Sequence, residues 1–155
     1  MKIPLVTFRR AYLPASLALA AALSLPAAAA DDVAGVFKRV QGVVAVERGK
    51  DKLPATVGTE LQESDTVVTG SDGSAGITFQ DNTLMSLGPS SRLVIDRFSF
   101  DTTTHDGSFE STLSKGKLAV VSGKIAKHAQ DAMKVRTPST ILGVRGTEFV
   151  VEAGE

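Results

Sequence analysis

Few residues in this sequence are arranged for bond-making chemistry, and those few limit what the chain can do. The two histidines, His105 and His128, stand 23 positions apart on separate segments. A transition-metal site needs several imidazole, thiolate or carboxylate donors brought together. The sequence has no cysteine, and two isolated imidazoles read as solvated loop residues. The run Asp101-Thr-Thr-Thr-His105-Asp106-Gly107 offers oxygen donors to calcium, but it lacks the alternating acids and closing glutamate of a calcium loop and reads as a turn. A nucleophilic serine needs a positioned base and an oxyanion site; there is no Gly-x-Ser-x-Gly block and no Ser-x-x-Lys in a helical setting. Asp65 with Asp72, or Asp81 with Asp96, are the acid pairs a cleft would need for general acid–base work, but each acid sits beside a turn, its ordinary place in a β domain. No phosphate-cradling glycine loop precedes a helix. The chain reads as a non-enzyme without cofactor or metal.

What remains is Arg145, framed by Gly143, Val144, Gly146 and Thr147. Two β-branched runs, residues 140–144 and 147–151, flank it, so the spacing predicts a strand pair with a fixed corner at Arg145 and Gly146. The two glycines suggest torsions or close approaches that a Cβ would obstruct. An arginine at such a corner either contacts a ligand or partner, or bonds carbonyls or a carboxylate close by; the structural role is the expectation here.

The elements that must hold this corner are short strands. Apolar or β-branched runs at residues 36–40, 43–46, 66–69, 75–79, 83–87, 93–95, 109–113 and 117–121 are separated by turn residues. Asp72-Gly73 predicts a tight hairpin between residues 67–68 and 75–79, and Ser114-Lys115-Gly116 predicts another. Ile77, Phe79, Leu84, Met85, Leu87, Leu93 and Ile95 are the expected inward positions, and Phe98 and Phe100 keep period two. Only residues 124–133 suit a helix, with Ile125, Ala129 and Met133 at four-residue steps; an irregular polar loop is the alternative. The fold class is therefore all-β, many short strands with at most one short helix, arranged as a sandwich, barrel or solenoid-like stack, with a jelly roll as an alternative.

At 155 residues and 43% hydrophobic content the chain suits one domain. Residues 1–30 carry Lys2, Arg9 and Arg10, then an alanine-rich apolar run that ends at Ala28-x-Ala30, the pattern of a secretory signal peptide cleaved after Ala30. Residues 31–155 form the expected domain, periplasmic or secreted; an uncleaved N-terminal anchor in the inner membrane is the alternative, and no membrane span remains after cleavage. That domain holds 14 basic against 17 acidic residues, net −3, which gives no footprint for nucleic acid. Aromatics at 5% and the absence of tryptophan offer no platform for stacking sugars.

Thr137, Pro138, Gly143, Val144, Arg145, Gly146, Thr147, Glu148 and Phe149 together resemble the C-terminal signature of the FecR-type periplasmic domain, in which a Thr-Pro segment leads through a Gly-Val-Arg-Gly-Thr block into a last apolar strand. The resemblance extends loosely back to about Val36. It implies a twisted β-sandwich or β-solenoid-like arrangement. In the family's founding members the domain sits on the periplasmic side of an inner-membrane regulator that senses a loaded iron-siderophore transporter and signals to a sigma factor. Here only about a dozen residues precede the apolar run, too few for a folded cytoplasmic domain. The expected function is an exported FecR-like interaction module, an accessory in envelope sensing or signalling whose partner is another cell-envelope protein. Iron-responsive regulation beside a separate membrane sensor and a structural, polysaccharide-binding role are the alternatives. The contact expected is an exposed sheet edge or the loop face; the final strand, residues 147–151, is a candidate edge, and paired on both sides it would contribute only core.

Overall fold

The computed structural model describes residues 33–154. The leader expected over residues 1–30, with Ala28 and Ala30, lies outside them. In chain order the elements are β1 (Val33–Gln41), β2 (Val44–Arg48), β3 (Asp51–Pro54), β4 (Glu60–Gln62), β5 (Thr66–Thr69), β6 (Ser74–Phe79), β7 (Leu84–Leu87), β8 (Arg92–Phe100), β9 (Gly107–Val121), α1 (Lys124–His128), β10 (Met133–Arg136), β11 (Ile141–Val144) and β12 (Glu148–Ala153). The fold is all-β, as the ladder of short strands predicts.

Strand β9 organises it. The first half of its 15 residues pairs with β8 antiparallel and β10 parallel; the second half pairs with β7 and β12, both antiparallel. One face therefore runs β3-β2-β5-β8-β9-β10-β11 and the other β12-β9-β7-β6-β1-β4, joined through β9 into one open, curled sheet. Alternation along the strands turns Ala75, Ile77 and Phe79 of β6, Met85 and Leu87 of β7, and Phe109, Leu113, Leu118 and Val120 of β9 inward. Phe79 from one face meets Phe109 and Phe98 from the other, at ring centroid distances of 4.5 and 5.7 Å. Burying such apolar surface, at about 25 cal/mol per Å², holds the faces together without disulfides.

Several expectations are corrected. Residues 114–116 do not turn a hairpin. β9 continues through them, and Gly116, at φ +94°, bends it where it passes from one face to the other. An added Cβ at Gly116 would collide with Ser91, whose Oγ accepts the Lys117 amide at 3.0 Å. Asp72-Gly73 does turn the chain, but β5 and β6 do not pair, because this turn carries the chain between faces. It packs on the Gly42 corner, where the Gly70 amide donates to the Val43 carbonyl at 2.8 Å. Leu84 is outward, 45% exposed. The helix stops at His128, and Met133 opens β10. β3 was missed by the strand pattern, since Asp51, Lys52 and Pro54 are poor strand formers.

Candidate functional site

The block around Arg145 is built from β10, β11 and β12. The chain leaves β9, crosses through α1 and returns as β10 parallel to β9. Asp81 fixes that crossing from the β6–β7 turn: its buried carboxylate accepts the Thr83 amide at 3.0 Å and the Thr83 hydroxyl at 2.7 Å, while its carbonyl accepts the Lys124 amide at 2.7 Å. Gly123 fits there because a Cβ would strike the Asp81 carbonyl and the Thr83 amide.

Thr137 and Pro138 lie in the turn between β10 and β11, which the Thr137 amide closes on the Thr140 carbonyl at 2.8 Å. Val144 is buried at the end of β11. Gly146 then takes φ +60°, a left-handed conformation that favours glycine, and the chain turns into β12. The two strands flanking the corner do not pair with each other: β11 belongs to one face on β10, and β12 to the other on β9. Gly143 is not left-handed; it admits a close approach, since an added Cβ would lie 3.1 Å from Asp131 Oδ1. Thr147 is exposed, and its carbonyl accepts the Ser122 amide at 3.1 Å. Phe149 packs half-buried against the core. Arg145 is exposed and makes no hydrogen bond or ion pair with any described residue, so no carbonyl or carboxylate holds it.

The Ser122-to-Thr147 bond fixes the phase of the last ladder. In an antiparallel pair, hydrogen-bonded and non-hydrogen-bonded couples alternate. Thr147 with Ser122 is hydrogen-bonded, so Phe149 with Val120 and Val151 with Leu118 are too. Glu148, Val150 and Glu152 therefore direct their N–H and C=O groups away from β9, and among the described residues no strand lies beyond them. Val150 is 70% exposed. A cleft of about 220 Å³ opens between β11 and β12, lined by Leu142, Gly143, Val144, Thr147, Phe149 and Val150. A strand whose outer edge has no described neighbour, with an apolar cleft beside it, is a template for an extended segment of another chain.

The acids and histidines singled out in the sequence are already engaged. Asp65, fully buried, takes a bidentate ion pair from Arg48 at 2.7 and 2.8 Å. Asp72 accepts the Val43 amide, and Asp96 the Thr112 hydroxyl, so neither acid pair faces a shared cleft. His105 stacks on Phe100, and His128 Nε2 reaches Asp106 at 2.9 Å. Among the described residues no three His, Cys, Asp or Glu side chains could hold a metal ion. Asp101 accepts the amides of Thr104 and Thr103 at 2.9 and 2.7 Å, and these bonds, that from Thr104 first, hold its carboxyl below the usual range. A larger cavity, about 470 Å³, opens between this loop and the start of β1, but its acids Asp101 and Asp106 are the ones just described.

The family model described as FecR protein matches residues 65–155, more than half of the chain, and reaches from the buried Asp65 through the Arg145 block. The chain belongs to the FecR family. No curated protein and no solved structure matches it. FecR domains form a non-enzymatic signalling and regulatory family and are typically periplasmic. In this FecR domain, no helix among the described residues is long and apolar enough to cross a membrane. The matched segment includes both strands of the open end, whereas β1 to β4 precede it.

Proposed function

We propose that this FecR domain is exported and serves as a protein-interaction module, an accessory in envelope signalling that binds an extended segment of another envelope protein along β12. The outward-facing backbone groups of Glu148, Val150 and Glu152 carry this reading. A segment added there forms main-chain hydrogen bonds without disturbing the fold, while its alternate side chains enter the cleft over Phe149. Arg145, exposed between β11 and β12 and unbonded among the described residues, is available to a carboxylate. The active groups of the domain are thus donors, acceptors and an apolar floor, with no nucleophile among them.

Substituting Val150→Pro tests this. The Val150 N–H points away from β9, so proline there removes a docking donor and no ladder bond, an arrangement edge strands accept. The variant is expected to keep its circular dichroism spectrum, lose about 1 kcal/mol of stability or less, and lose its cross-links to the partner in an envelope fraction. Full cross-linking by the folded variant contradicts the proposal.

A further inference from the structure

The outer face of β12 carries Glu148, Val150 and Glu152 at alternate positions, an acid, an apolar residue and an acid, all exposed. Glu148 lies opposite Val121 and makes no ion pair with a described residue. Glu152 approaches Lys117 Nζ at 3.4 Å, with both side chains more than 60% exposed, an ion pair that leaves the acid open on its other side. A second copy docking antiparallel about Val150 would set Glu148 opposite Glu152 of that copy, and Glu152 opposite its Glu148. Directly opposed like charges destabilise strand pairing, and opposite charges favour it.

Resting on the strand-addition reading above, we infer that β12 selects a partner strand with basic residues opposite Glu148 and Glu152 and an apolar residue opposite Val150, and that the same two glutamates stop the edge from pairing with itself. Acid-apolar-acid reads the same in both directions, so this pattern selects composition; the direction of the added strand is left to its other contacts.

The test uses the mature chain and two short synthetic peptides, one of pattern Lys-x-Val-x-Lys and one of pattern Glu-x-Val-x-Glu, together with sedimentation of the protein alone. The lysine peptide is expected to bind roughly tenfold tighter than the glutamate peptide, with the order reversed in the Glu148→Lys/Glu152→Lys variant. The single Glu148→Lys variant turns both self-pairings into Lys–Glu couples, so it is expected to dimerise where the wild type sediments as a monomer, and Val150→Pro added to it is expected to restore the monomer. Equal binding of both peptides, abolished by Val150→Pro, overturns the charge selection while leaving strand addition standing. A wild-type dimer dissolved by Val150→Pro, or a Glu148→Lys variant that stays monomeric, overturns the selection too. Peptide binding that Val150→Pro does not touch overturns strand addition itself.

Discussion

The curled sheet has two open ends, and they are finished in opposite ways. At the first, the phase of the β2–β3 ladder is set by the Ala55 amide, which bonds the Val44 carbonyl at 2.9 Å, so the backbone positions pointing outward from β3 are Lys52 and Pro54. Proline has no N–H to offer a neighbour, and lysine on an edge resists burial. The other edge there, β4, is three residues long and spends its groups locally: the Gln62 amide donates to Asp65 at 2.8 Å and the Glu60 carbonyl accepts from Arg48 at 3.2 Å. At the second end, β12 is six residues long, with no proline or bulge, and it presents Val150 between two glutamates. Its neighbour β11 points Ile141, 60% exposed, and Gly143 outward, the latter shadowed by Asp131. Among the described residues the sheet blocks its edges at one end and leaves its longest edge strand without a neighbour at the other. The bare end is also the one that belongs to the family match.

The largest effect expected from breaking this contrast is at the guarded end. Arg48→Ala leaves the buried Asp65 carboxylate without its fork and frees the Glu60 carbonyl; about 2 kcal/mol of stability should be lost, read as a lower urea midpoint. Partner binding at β12 is expected to be unchanged once the variant is folded. Pro54→Val opens the guarded end. It restores an outward N–H on β3 at a cost or gain within about 0.5 kcal/mol, and the expected change is concentration-dependent association, measured by light scattering, that the wild type does not show at this end. The smallest effect lies away from both ends. Asp101 has its folded pKa depressed by the Thr104 and Thr103 amides, so its contribution is full above its unfolded pKa and lost as pH falls through the folded value. Asp101→Asn should flatten only that acid limb of the stability curve and leave neutral-pH binding intact.

Much of this was legible in the sequence. Alternation at residues 75–79, with Ile77 and Phe79 inward, follows from a period of two and a need to bury one face, and both side chains are in the core. The corner was legible because its glycines suggest torsions or close approaches that a Cβ would obstruct, and Gly146 takes φ +60°. What period cannot say is which strand lies alongside. Gly116 has the positive φ a hairpin would require, yet a bend between two faces requires it equally, and only the distant Ser91 decides between them. β3 was hidden because the residues that protect an edge, lysine and proline, are those that make a strand hard to recognise. At the site, the residues of the corner were found, but the role expected of Arg145 was a bonded one, and it is exposed with no bond to a described residue. The outward phase of Glu148, Val150 and Glu152 depends on one long-range bond, from the Ser122 amide to the Thr147 carbonyl, which no local pattern encodes.

Residue-resolved amide hydrogen exchange along β12 in the free mature chain tests the open edge most directly. An open edge gives alternation: slow exchange at Phe149 and Val151, whose amides bond β9, and fast exchange at Glu148, Val150 and Glu152, turning slow when a strand-forming peptide is added. Uniform protection from Glu148 to Glu152 in the free chain would contradict it.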